Sequence, residues 1–229
     1  MTFKENAPVS LVDVAYRRIR EDLAKGYLTP GEKLNVRVLT ERYEVSDTPV
    51  KQALNRLMVE GVVESIPRKG MKVKRITWAE IEEILEFRIM MERFYAPKVI
   101  TLLPNDVQLQ QAFDANLSEN LRLAQSYHTV DEHQAVYRLD QEFHRMYLVC
   151  GGSRKALQVF DNLNSHAYAT YLFDRQPKEK TISGVMEHRA VFEAILAGHL
   201  DRLLELLDLH NKNAREIIYL TLKINNRIV

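Results

Sequence analysis

The sequence predicts a mainly α protein in two parts: a small mixed α/β module over residues 1–76 and an all-helical bundle over residues 77–229. Three observations carry this. The first third is cut into short pieces by Gly26, Pro30, Gly31, Pro49, Gly61 and Pro67, the residues that punctuate turns. After Ile76 come long amphipathic stripes introduced by helix-capping signals, with no strand pattern among them. The charge also changes sign: residues 1–76 carry 15 Lys+Arg against 10 Asp+Glu, and the other 153 carry 17 against 21. A basic first third suggests an anion-binding module joined to something else.

The elements follow in order. Leu11 to Gly26 reads as a helix burying Val12, Ala15, Tyr16, Ile19 and Leu23, and Thr29-Pro30-Gly31 reads as a turn. Val36 to Tyr43 is a short amphipathic piece. Ser46 or Thr48 caps the next helix, whose first turn tolerates Pro49 because the missing N–H has no helical partner there. It buries Val50, Leu54 and Leu57 and stops near Gly61. Val62 to Ile66 and Met71 to Ile76 make a hairpin with the basic tip Pro67-Arg68-Lys69-Gly70. In the second part, Thr77-x-x-Glu80 and Thr129-x-x-Glu132 are capping boxes. They open helices ending near Leu103 and at Gly151-Gly152, with another segment from Pro104 to Ser126 between them. Further helices are expected over Arg154 to Phe173, Gly184 to Ala197 and Leu200 to Leu222.

With 46% hydrophobic and 28% charged residues the composition is that of a globular chain and excludes disorder. No run approaches the roughly 18–20 apolar residues of a membrane helix, and the polar Met1–Pro8 segment lacks a signal core. One cysteine, Cys150, cannot form an internal disulfide; it is expected to fill core space, in a cytoplasmic protein.

Helix, helix, turn, helix and basic-tipped hairpin describe a winged helix-turn-helix, whose second motif helix enters a major groove N-terminus first. Arg37, Lys51 and Arg56 supply charge on its helices, and Arg68 and Lys69 sit where they reach phosphate or the minor groove. The run Leu39-Thr-Glu-Arg-Tyr-Glu-Val-Ser-Asp-Thr-Pro-Val-Lys-Gln-Ala-Leu-Asn-Arg-Leu57, followed by Glu60-Gly-Val-Val63 and the Pro67–Gly70 tip, resembles the winged helix of the GntR family of bacterial transcription regulators. The resemblance implies DNA contacts from Ser46, Asp47, Thr48, Lys51 and Gly70 along with the basic residues already named. Asp47 stands where the family usually has Arg, Lys51 where it has Arg, and Gln52 where it has Glu. Lysine lacks the bidentate fork that suits guanine, and Asp47 could accept from cytosine N4, so an altered operator sequence is expected.

Among seven histidines, three occupy apolar stripes. His144 shares a face with Asp140, Val136, Phe143 and Tyr147; His188 sits among Val185, Val191, Phe192 and Ile195; His210 sits among Leu203, Leu206, Leu207, Ala214 and Ile217. One inward histidine is usually a hydrogen-bonded core residue. Three with an Asp, on three helices, point to a shared metal. Asp-x3-His with two later single histidines resembles the metal site of the FCD domain, the helical effector domain of many GntR regulators. It implies Asp140, His144, His188 and His210 as ligands of a divalent ion, zinc being the first choice and nickel, manganese or iron the alternatives. His199 falls in a turn and is expected at the surface, His128 and His133 have no matching spacing, and His166 is a candidate to support the ligands. Arg88 lies on the apolar side of the first long helix, either as a partner for Glu92 or as a fork for a carboxylate effector, the role the resemblance implies.

The expected function is therefore a homodimeric regulator, a repressor in sense, binding a palindromic duplex operator under control of a small organic acid at the metal. A purely structural metal is the alternative reading. An enzyme is disfavoured because no HExxH or similar motif places a general base beside the ion.

Overall fold

The structure, a computed structural model, describes residues 10–163, 172–173 and 176–224. The chain divides into two compact units, Met1–Arg75 and Ile76–Val229.

In the first unit, α1 (Leu11–Lys25) is capped by Ser10, whose hydroxyl accepts from Asp13 N–H, and is closed by Gly26 in the left-handed region. Next come β1 (Lys33–Leu34), α2 (Val36–Tyr43) and α3 (Asp47–Val59). The hairpin of β2 (Val63–Ile66) and β3 (Gly70–Val73) completes the unit. The sheet order is β1-β3-β2, antiparallel throughout, with Lys33 opposite Lys72 and Val63 opposite Val73. Ala15, Ile19 and Leu23 of α1 and Val50, Leu54 and Leu57 of α3 are fully buried, so the helix-turn-helix is held from behind by α1. Ser46 takes the cap position of α3, and Thr48 falls inside the helix.

Two expectations needed correction here. Strand β1 was unforeseen, since two residues carry no periodicity; it exists because β3 has a second edge to satisfy. β3 ends at Val73, three residues short of Ile76.

Among its described residues, the second unit is built from helices joined by short turns. It comprises α4 (Trp78–Leu102), a 3-10 turn (Leu103–Asn105), α5 (Val107–Ser126), α6 (Val130–Gly151), α7 (Arg154–Asn162), α8 (Lys178–Leu196) and α9 (Leu200–Ile224). Both capping boxes form, with Thr77 and Thr129 accepting from Glu80 and Glu132 N–H while each Glu accepts from the Thr N–H. Phe113 of α5 meets Phe143 of α6 edge-on and stacks on Phe192 of α8, tying three helices together. Gly151 lets α6 approach α4, because a Cβ there would lie 2.8 Å from Tyr95 Cγ. Cys150 is buried, and burial pushes its thiol up to about 11.

Two helix boundaries differ from expectation. The helix begun at Arg154 ends at Asn162, and Leu172 and Phe173 lie in a turn. Helix α8 begins at Lys178, six residues before Gly184. Its polar first turn hides it from a hydrophobic pattern, yet Thr181, Val185 and His188 form one buried face that carries the helix through the glycine.

Candidate DNA-binding module and metal centre

The N-terminal end of α3 presents Ser46, Asp47 and Thr48 to solvent. Ser46 makes no side-chain capping bond, so its hydroxyl is not committed to the helix. Lys51 and Asp47 pair at 3.1 Å one turn apart, and Arg37 and Glu41 pair at 3.2 Å on α2. Both pairs are well exposed, where an ion pair stabilises by only about 0.3–0.5 kcal/mol. Either pair can be broken at little cost.

Arg56 is placed differently. Its guanidinium lies 3.9 Å over the Tyr16 ring and within 3.3–3.4 Å of Asp13 and Glu60. It faces α1 and joins the two helices. At the wing, Lys69 N–H donates to Ile66 O at 2.9 Å, closing a turn with Pro67 and Arg68 at its corners. Arg68 has φ 61, a left-handed conformation that costs a non-glycine residue roughly 1 kcal/mol. Gly70, with φ 99, carries the chain back into β3, and Arg68 and Lys69 are exposed.

In the second unit the three inward histidines converge. His144 of α6, His188 of α8 and His210 of α9 are 1%, 1% and 5% exposed. His188 Nε2 lies 3.2 Å from His144 Nε2 and 3.0 Å from His210 Nε2. Two nitrogens each about 2.1 Å from one ion are separated by about 3.0 Å at a right angle and about 3.4 Å at the tetrahedral angle. Both distances from His188 fit ligands of a single ion, and the donor atoms of all three rings lie within 4.8 Å of one another.

Asp140, one turn before His144, has its carboxylate oxygens 3.7 Å from His188 Nε2 and 4.0 Å from His144 Nε2. It is a quarter exposed, a looser fourth member at the edge of the trio. Phe143 stacks on the His188 ring at 4.2 Å and fixes its plane.

Behind the trio stand two carboxylates that the sequence pattern did not identify. Glu92 Oε1 lies 2.5 Å from His144 Nδ1, and Glu187 Oε2 lies 2.8 Å from His210 Nδ1. A carboxylate on the far nitrogen selects the tautomer that leaves the near nitrogen's lone pair for a metal. Glu92 answers the question posed by Arg88, since it engages His144 while Arg88 keeps Nε and Nη2 without hydrogen-bond partners. A signal existed: Glu92 and Arg88 occupy the same stripe of α4, and Glu187 precedes His188.

Burial holds His144 and His188 well below the usual imidazole range, with the Arg88 guanidinium adding to the effect on both. Burial pushes Glu92 up to about 7, against the opposing pull of Arg88. At Glu187 burial is outweighed by hydrogen bonds with His210 and Asn213, and its carboxyl lies below the usual range. Burial therefore favours the neutral form of His144 and His188, the form that ligates.

Of the other histidines, His199 is exposed, and His133 is fully buried between the rings of Tyr127, Tyr137 and Phe173. His166 lies outside the described residues. A cavity of about 80 Å³ adjoins the trio, lined among others by Arg88, Asn120, Asp140, Glu187 and His210.

Residues 11–73 match the model of the bacterial regulatory proteins of the gntR family, and residues 83–213 match the FCD domain. The chain belongs to the GntR family and carries an FCD domain. The HTH-type transcriptional repressor GlaR of Escherichia coli (strain K12) is 27% identical, with 85% of this chain and 90% of that protein covered. The HTH-type transcriptional regulator YdhC of Bacillus subtilis (strain 168) is 22% identical, with 84% of each covered. Among solved structures, E. coli McbR/YncC superposes with a TM-score of 0.64 at 18% identity, covering 93% of this chain and 99% of that one. This GntR chain is thus a DNA-binding transcription regulator, in families of regulators and not of enzymes. Among the described residues, no helix is long and apolar enough to cross a membrane.

Proposed function

We propose that operator binding by this regulator is controlled by a small carboxylate effector held beside a divalent metal in the FCD domain, with repression as the sense of control. The observation that carries the proposal is the coincidence of two features: three buried imidazole nitrogens close enough to share an ion, and a buried guanidinium with unpartnered N–H groups lining the adjoining cavity. Either feature alone has a structural explanation. Together they make a pocket for an anion.

His144, His188 and His210 would hold the ion, Asp140 would complete the set, and Glu92 and Glu187 would orient two of the rings. Zinc is the first choice for this donor set, with nickel, manganese or iron as alternatives. When bound, the ion supplies positive charge and open coordination positions for a ligand oxygen. Arg88 contributes the fork that fits a carboxylate, and burial near the apolar side chains Val136, Val185 and Ile217 strengthens that contact. An effector alters operator affinity only by binding the DNA-competent and incompetent states unequally, and the coupling is reciprocal.

Ser46, Asp47, Thr48 and Lys51 on α3, Arg37 on α2, and Arg68, Lys69 and Gly70 at the wing are the proposed DNA contacts. Arg56 is proposed as a helix-joining residue with a lesser share in DNA binding. Two copies reading a palindrome are expected, since one recognition helix reads few base pairs. Phe87, Met90 and Phe94, exposed by 47%, 56% and 75% at helical spacing on α4, form an apolar stripe suited to a second copy.

The test is calorimetric titration of acetate, lactate, succinate and malate into metal-loaded protein, with and without a selected operator. Binding by at least one acid, lost in Arg88→Ala with metal retained and altered by operator, is expected. If no acid binds, the pocket reading fails. Binding indifferent to operator refutes the control and leaves the structural-metal reading.

A further inference from the structure

Both helices of the helix-turn-helix are fastened to α1 by the same chemistry, a phenol hydroxyl donating to a carboxylate that a guanidinium also holds. Just past the end of α3, the Glu60 carboxylate accepts from the Tyr16 hydroxyl of α1, whose oxygen lies 2.8 and 2.7 Å from Oε1 and Oε2. Arg20 donates to the Tyr16 hydroxyl oxygen and lies 3.4 Å from Glu60. At the end of α2, Tyr43 donates to Asp22 of α1 at 2.7 Å, and Arg42 reaches the same carboxylate at 2.7 and 3.0 Å. Tyr16, Arg20, Asp22 and Tyr43 are all buried. Burial pushes both phenols up, Tyr16 to about 12, so each remains a donor at neutral pH.

Apolar packing between α1 and α3 is non-directional and leaves the angle between them loosely set. A hydrogen bond is directional and weakens steeply out of line. From Asp47 to Glu60 the chain of α3 rises about 20 Å at roughly 1.5 Å per residue. A tilt of about 5° over that length displaces one end by about 2 Å relative to the other. Base-edge hydrogen bonds hold only within about 2.7–3.2 Å, whereas attraction to phosphate falls off gradually with distance. A small error in tilt therefore damages base reading far more than phosphate binding.

We infer that Tyr16 and Glu60 are positioning residues for operator recognition, their buried bond setting the tilt of α3 while Tyr43 and Asp22 fix the turn before it. All four act through α3 and not on DNA themselves. The inference rests on the proposed groove contacts of Asp47 and Lys51. Helical periodicity puts Tyr16 on a buried stripe, but the partner of its hydroxyl lies 44 positions away and is chosen only by packing.

The test uses the full-length protein with two probes, a duplex selected from a random pool by wild type and an unselected random duplex. Fluorescence anisotropy over a salt series reads both affinities. Tyr16→Phe keeps the ring beneath Arg56 and removes only the hydroxyl. It should weaken binding of the selected duplex about tenfold, the size of one lost base contact. Affinity for the random duplex and the salt slope should stay within about twofold of wild type. A merely structural role would instead lower the active fraction for both duplexes and leave the ratio of affinities intact.

Glu60→Gln retains an acceptor for Tyr16 and should keep most of the ratio, whereas Glu60→Leu should lose it. Adding Tyr16→Phe to Glu60→Leu should reduce the ratio no further, because both changes remove one bond. Should Tyr16→Phe fail to fold, the comparison of the two Glu60 variants decides. A folded Tyr16→Phe with the wild-type ratio, or a loss shared equally by both duplexes, would overturn the positioning role. Unchanged ratios in Asp47→Ala and Lys51→Ala would overturn instead the groove contacts on which it rests.

Discussion

The two units use ionisable residues in opposite ways. On the DNA-binding unit, Arg37, Lys51, Arg68 and Lys69 are solvated, and their ion pairs with Glu41 and Asp47 are weak and exchangeable. In the helical unit, Arg88, Glu92, His144, His188 and His210 are all at most 5% exposed and held by packing from several helices. Exposed charge can reorganise around a polyanion at little cost, which suits a surface that must release DNA. Buried charge cannot relax, so its geometry is set before a ligand arrives and discriminates among ligands. Mutations should therefore act gradually in the first region and steeply in the second.

The largest effect expected is in the histidine trio. His188→Ala or His210→Ala should reduce bound metal from about one ion per chain to near none, read by elemental analysis after gel filtration. Metal-free wild type after reconstitution at neutral pH would remove the basis for the contrast. Changing the supporting carboxylates is expected to act less strongly. Glu92→Gln and Glu187→Gln should each weaken metal affinity by about 10–100-fold in competition with a chromophoric chelator.

Next comes the protein's response to acid. Folded His144 and His188 are held below their ordinary range, so below about pH 6.5 the unfolded chain binds more protons than the folded one. Stability contributed by these groups is thus complete above that pH and lost as pH falls further. Chemical denaturation at pH 7.5 and pH 5.5 should show the decline, and metal occupancy should fall in the same direction. A histidine-dependent gain in stability on acidification would contradict the buried, neutral assignment.

On the exposed side, Arg37→Ala or Lys51→Ala should weaken specific operator binding by about 1–3 kcal/mol, with the salt slope reduced by about one for a lost phosphate contact. Lys69→Ala should weaken all duplexes alike. Arg56→Ala sharpens the comparison within this unit, because its loss should lower the melting temperature more than it relaxes sequence preference. The smallest effect expected is that of Asp47→Ala on folding, since its exposed pair with Lys51 contributes only about 0.3–0.5 kcal/mol. A stability loss of several kcal/mol would show that this surface is not exchangeable.

Much of this architecture is legible in local sequence. Ser10, Thr77-x-x-Glu80, Thr129-x-x-Glu132, Gly26 and Gly152 mark helix ends through bonds to their own neighbours, and the three histidine stripes follow from a 3.6-residue period. Period also placed Arg88 and the trio on inward faces. Other features depended on residues distant in the chain. β1 arose from pairing with β3, and α8 passed Gly184 because its face was buried by α5 and α9. Arg56, a basic residue on a recognition helix by pattern, was drawn to Asp13 and Tyr16 across 40 or more positions. Glu92 met His144 across 52 positions, and Arg88 Nε and Nη2 were left without partners in the lining of the cavity. Local bonds and periodicity depend only on near neighbours and so are written in the sequence order. Which buried polar group finds a partner depends on how helices pack, and that is decided only when the chain has folded.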